Sequence, residues 1–149
     1  MEIRCASLTI LILLSLYLIA CTDEGVPTAG SSGPGGNPVS YTYRAYNLAG
    51  NLLVAGTLTM AMEDSTSIVG SWALDQVQAS DRVGPQVGTG KLAGMIAGKS
   101  VWINLNPSWV DNNVFLQGTM DDSRMSGKWM WSTFVGSTAE GTFEAIKKQ

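Results

Sequence analysis

The chain has 149 residues, a formal net charge of −3, no histidine and two cysteines, which suits one domain. Lack of histidine removes the commonest general base and metal ligand; a Ser–His–Asp arrangement is excluded, no cofactor or metal is expected, and the chain reads as non-enzymatic. Nucleic acid is disfavoured as a partner: beyond residue 20, eight Lys/Arg face eleven Asp/Glu and form no basic cluster.

Residues 1–20 read as a signal peptide rather than as structure. Arg4 gives a short positive start, 6–19 are mostly apolar, and small Ala20 precedes Cys21. That run is too short for a comfortable membrane span. Leu18-Ile19-Ala20-Cys21 resembles the bacterial lipobox. The resemblance implies cleavage before Cys21 and acylation of its sulfur and new amino group. It places the protein in the cell envelope, held to the membrane through Cys21. Thr22 follows in place of the aspartate that resembles an inner-membrane retention signal, so the outer membrane is expected, on its periplasmic or surface face. Two or three acyl chains anchor stably where one is marginal. Cys5 leaves with the leader, so the mature domain keeps no thiol and relies on its core alone.

Residues 21–38 carry this cysteine and a Gly/Pro/Ser-rich tether with little to bury, expected to be disordered. As a flexible coil it spans ~20 Å.

Residues 39–149 form the domain. Helical periodicity is scarce, and β-branched, aromatic and turn residues recur at short intervals. Eight strands are expected at 40–48, 52–62, 67–74, 89–96, 100–105, 113–120, 124–132 and 138–146. Short connections rich in Gly, Asn and Asp suit tight hairpins. A unit of glycine, small or polar residue and large apolar residue recurs at Gly56, Gly70, Gly90, Gly118, Gly127 and Gly141. Residues two apart share a face, so each glycine lies on the apolar face. Glycine within a strand marks a sharp bend or a close approach. A β-carbon at Gly127 is expected to crowd the inward face beside Met125 and Trp129. The expected fold is all-β, a single up-and-down antiparallel barrel of about eight strands.

Alternation assigns the faces. Val54, Leu58, Met60, Ile68, Trp72, Leu74, Leu92, Ile96, Val101, Ile103, Leu105, Val114, Leu116, Met120, Met125, Trp129, Trp131 and Phe143 are expected inside. Thr57, Thr59, Ser71, Lys91, Asn104, Gln117, Thr119, Ser126, Lys128, Glu140, Thr142 and Glu144 are expected outside. An interior so lined is either a packed core or a pocket for a small apolar ligand. Three inward tryptophans favour the packed core.

The lipobox, the tether and a meander ending in Gly141-Thr142-Phe143-Glu144-Ala145 together resemble small bacterial lipoproteins with a calycin-like barrel, the superfamily of lipocalins and avidins. Trp131-Ser132-Thr133-Phe134-Val135-Gly136 is similar to a late avidin segment. An avidin's ligand-contacting tyrosines, serines and tryptophans are not matched, so biotin binding is not carried over. Small-barrel lipoproteins that inhibit secreted proteases are similar in layout, although those carry a disulfide and this domain does not.

Chemistry is sparse. Glu63-Asp64 and Asp121-Asp122 fall in expected hairpin turns, where capping is the natural role of an aspartate. Gly88-Thr89-Gly90 precedes a strand pattern, not a helix, so it forms no phosphate loop. Two long connections stand out. One is 75–88, containing Asp81 and Arg82; the other is 106–112, containing Trp109. Long loops are often binding loops. Trp109 either belongs to a site or folds back to plug one barrel end. In a meander both loops flank one mouth, opposite 97–99. Asp81, Arg82 and Trp109 are therefore candidate contacts for a small apolar ligand or a protein partner.

A second candidate surface lies outside. Inward residues must pair with inward ones, which fixes register to steps of two. Ile103 opposite Val114 places Trp102 opposite Phe115; Met120 opposite Met125 places Phe115 opposite Met130. Trp102, Phe115 and Met130 would then form an outward apolar row, a surface for a partner or a homo-oligomer.

Overall fold

A computed structural model describes residues 35–149. The expected leader, Cys21 and most of the expected tether lie outside the described residues. The domain is a closed barrel of eight antiparallel strands: β1 (Val39–Asn47), β2 (Leu52–Met62), β3 (Ser67–Gln76), β4 (Gly88–Ala97), β5 (Ser100–Asn104), β6 (Asn113–Met120), β7 (Arg124–Thr133) and β8 (Gly136–Lys147). Each strand pairs with the next and β8 returns to β1. No helix occurs among the described residues. This is the expected up-and-down barrel, an architecture consistent with a calycin-like fold. The largest difference in bounds is at β8, which starts at Gly136 because Thr133 and Gly136 pair around Phe134-Val135.

Alternation assigns the faces correctly. Val54, Leu58, Ile68, Trp72, Leu74, Leu92, Ile103, Leu116, Met125, Trp129 and Phe143 are buried in one apolar cluster, with Ile96, Met120 and Trp131 packed against it. Tyr41, Tyr43 and Ala45 add the inner face of β1. The Tyr43 and Phe143 rings stack at 6.0 Å across the β1–β8 seam. Arg44, Lys91, Gln117, Lys128 and Thr142 face solvent. Apolar inside and polar outside is the reverse of a membrane-spanning barrel. A closed barrel has no unpaired edge, and the core cluster lies wholly between Tyr41 and Ala145.

The interior tryptophans show what the glycine units do. Trp72 lies opposite Gly90 and Trp129 opposite Gly141, and in each case a β-carbon on the glycine would strike the indole. Each ring lies across its glycine and donates its N–H beyond it, Trp72 to the Leu105 carbonyl at 2.6 Å and Trp129 to the Tyr46 carbonyl at 2.8 Å. A buried indole needs such an acceptor. Gly127 differs from expectation. It pairs with Gly118, and its β-carbon would strike the Gln117 carbonyl and the Gly118 backbone instead of crowding Met125 and Trp129. Here the two strands approach each other directly.

One register differs. Ile103 pairs with Leu116, not Val114, and Trp102 with Gln117, not Phe115. The shift is two residues, so every side chain keeps its face. Its physical reason lies at Leu105, whose N–H bonds the Val114 carbonyl at 2.9 Å. With this ladder the inward residues of β5 meet only Gly118 and apolar side chains. The expected ladder would have set Leu105 against Asn112. Between β6 and β7 the expected register holds, with Met120 against Met125 and Phe115 against Met130.

Candidate functional site

Alternate connections share an end of the barrel. Residues 48–51, 77–87, 105–112 and 134–135 gather at one end, the mouth; 63–66, 98–99 and 121–123 gather at the other. β1 starts and β8 finishes at that far end, where the Gly36 N–H bonds the Met62 carbonyl.

The long connection 77–87 closes the mouth. Val83 is buried and Gln86 is completely so. The Tyr43 hydroxyl, inside β1, donates to Gln86 Oε1 at 3.1 Å, and Gln86 Nε2 donates to the Val83 carbonyl at 2.8 Å. Both ends of the buried amide are thereby satisfied. Burial pushes the Tyr43 hydroxyl far above the usual phenol range, so it stays a donor at any ordinary pH. Gly84 turns the chain at φ +62° and lies on the Trp131 ring, whose N–H is held by Asn112 Oδ1 at 2.6 Å. Asn106 Nδ2 donates to the Pro85 carbonyl at 3.2 Å, joining the tryptophan loop to this stopper. Of the two roles open to Trp109, plugging the barrel is overturned: the stopper is the other loop, and Trp109 is 53% exposed.

The two long connections therefore meet at one end. Trp109 shares a groove of about 230 Å³ with Pro85, Val87 and Lys91. Arg82 stands at the rim of a recess of about 480 Å³, with Leu48 and Glu140 around it and Leu53 and Trp129 beneath. Asp81 is exposed on the same loop. Trp102, Phe115 and Met130 lie elsewhere, on the outer wall. Their row survives the register shift as a diagonal, with the Trp102 and Phe115 rings stacked at 5.2 Å. Met95, opposite Trp102 on β4, extends it and is exposed.

Several exposed residues at the mouth are not among the sequence candidates. Leu48, Val77, Val87, Val110, Phe134 and Val135 are all exposed there beside Trp109, Phe134 at 91% and Val135 at 92%. Every mouth connection carries at least one. The available signal was an apolar residue in a turn position, as at Phe134-Val135 between two strand patterns. The far end is the opposite. Its connections hold Glu63, Asp64, Lys99, Asp121 and Asp122, and its aspartates cap their own turns. Asp64 accepts from the Thr66 and Ser67 N–H groups, both at 2.7 Å, and Asp121 from those of Ser123 and Arg124 at 2.9 and 2.8 Å.

Among the described residues no group of three or more His, Cys, Asp or Glu side chains is placed to hold a metal ion. Glu144 accepts from the Tyr46 hydroxyl at 2.9 Å and Arg124 at 3.0 Å on the outer wall, away from the mouth. No family description, curated protein or solved structure matches the chain.

Proposed function

We propose that this is a non-enzymatic envelope lipoprotein, anchored through Cys21 at the outer membrane, whose calycin-like barrel is a platform for a contact surface at its mouth. The observation carrying this reading is that all four mouth connections expose large apolar side chains, while the interior is taken up by the core and by Gln86. An apolar cluster on an exposed surface marks a contact site. A small apolar ligand, the other occupant considered, has its space in the recess beside Arg82 and not within the core. The protease-inhibitor alternative draws support from one feature: the exposed 107–111 segment is held at its middle, with Asn113 Nδ2 donating to the Trp109 carbonyl at 3.3 Å.

The test is a photo-crosslinking residue placed in living cells at Phe134 and, separately, at Asp64. Adducts to protein or lipid are expected from position 134 and not from 64. Equal labelling from both ends, or none from 134, would overturn the mouth as the contact surface.

A further inference from the structure

Resting on that reading of the mouth, we infer that its occupant is an electrically neutral lipid surface, into whose interfacial layer the apolar loop tips insert. The form of the surface favours lipid. Leu48, Val77, Trp109-Val110 and Phe134-Val135 project from separate connections, with Asn, Ser and Gln positions between them. Phe134 and Val135 stand almost wholly clear of the barrel. Apolar tips gathered at one end but carried on separate connections need a yielding medium more than a complementary contour, and a bilayer interface yields. Trp109 adds an indole, a ring with an apolar body and a polar edge that suits the headgroup boundary.

Charge selects the kind of lipid. The mouth connections contain Asp81, Arg82 and Asp111 and no lysine. Binding to an anionic bilayer depends on Lys and Arg near the surface; Arg82 and Lys91, which lines the Trp109 groove from β4, are matched by Asp81, Asp111 and Glu140, so the mouth carries no net positive charge to supply it. The attraction here is burial of apolar area, which salt does not screen.

The test uses the mature chain, residues 21–149 with Cys21→Ser so that no acyl chain anchors it, in flotation with phosphatidylcholine vesicles. The barrel should float with the vesicles equally in low and high salt. The double variant Val110→Asp/Phe134→Asp should lose about tenfold or more of its lipid-bound fraction, since each removes a side chain whose burial drives binding. Ile146→Asp, an exposed apolar position at the far end, should float as the parent does. Both mouth positions are exposed, so fold should be kept, with thermal melting as the check. Should the variant melt early, quenching of the parent barrel's tryptophan fluorescence by brominated phosphatidylcholine replaces it, and absence of quenching overturns the inference. A parent barrel that fails to float, a variant that floats equally, or binding that requires anionic lipid would overturn it too. Failed flotation with protein adducts persisting at position 134 makes the occupant a protein and leaves the contact reading standing. Failed flotation with no adduct there removes both.

Discussion

The two ends of this barrel close the same eight strands by different physics. At the far end each of two turns is fixed by an aspartate three residues or fewer from its partners, Asp64 on Thr66 and Ser67, Asp121 on Ser123 and Arg124. At the mouth the turn 48–51 has a local cap of the same kind, Asn47 on Ala49 and Asn51, but the two long connections are tied to distant parts of the chain: Tyr43 to Gln86, Trp131 to Asn112, Asn106 to Pro85. The far-end turns take their side-chain hydrogen bonds from their own aspartates and are left polar. The long mouth connections are pinned from within by long-range contacts, which frees their outer tips to be apolar. A loop that keeps its shape through buried contacts can spend its exposed residues on something else.

Two glycines put that difference to its largest test. Gly84 at the mouth and Gly98 at the far end have nearly the same backbone, φ +62° and +60°. They differ in surroundings: a β-carbon at Gly84 would meet the Trp131 ring, while one at Gly98 would meet nothing within 4 Å. Gly98→Ala should therefore lose only the left-handed backbone penalty, about 1 kcal/mol. Gly84→Ala should lose that and the cost of displacing a packed indole, about 3 kcal/mol in all. Denaturant unfolding measures both. Equal losses would mean that the stopper gives way freely and that the mouth is no more pinned than the far end.

The next effect isolates the stopper's central hydrogen bond. Tyr43→Phe leaves Gln86 Oε1 buried without its donor, at a cost of about 1–3 kcal/mol. Tyr46→Phe removes a hydroxyl from Glu144 on the partly exposed wall, where water can replace it, and should cost less. Adding Gln86→Met to Tyr43→Phe removes the stranded acceptor too, so the double variant should recover part of the loss, a coupling that a double-mutant cycle reads directly. If Tyr43→Phe costs no more than Tyr46→Phe, Gln86 is not held as its burial implies.

The same contrast explains how much was legible in the sequence. Strands and faces follow from period-two alternation, a local property, so Trp72, Ile103, Trp129 and Phe143 could be placed inside directly. The turn roles of Asp64 and Asp121 were legible for the same reason. The stopper was not. Gln86 is a polar residue in a polar loop, and only its meeting with Tyr43, 43 positions away, makes it interior. The β5–β6 register escaped because parity allows steps of two and the connection between those strands is long enough to absorb one. Pairing Leu105 with an apolar partner would have settled it. Of the mouth surface, Trp109 stood out as an aromatic among polar residues, whereas Phe134-Val135 fell in the expected connection 133–137 and was read only as part of the avidin-like segment 131–136.

Acid supplies the smallest effect and separates the ends without any change at the mouth. The Thr66 N–H, then the Ser67 hydroxyl and N–H, hold the Asp64 carboxyl down to about 2. The Ser123 and Arg124 N–H groups lower Asp121 by the same means. Both carboxylates are at the surface, so the contribution is modest. Its sign follows from the direction of the shift. The folded value lies below the unfolded one, about 3.9, so the stabilisation is complete above about pH 4 and is lost as pH falls from there toward about 2. Asp64→Asn keeps a carbonyl oxygen for the same N–H donors but carries no charge to lose. Parent and variant melting temperatures should therefore differ near neutral pH and converge as the solution is acidified through that window. At the other end the Tyr43 phenol stays protonated throughout, so the stopper's hydrogen bond should persist while the Asp64 turn loosens. A melting difference that stays constant down to about pH 2 would mean that the charge of Asp64 adds nothing to its turn. In that case the neutral hydrogen bonds alone would hold the far end.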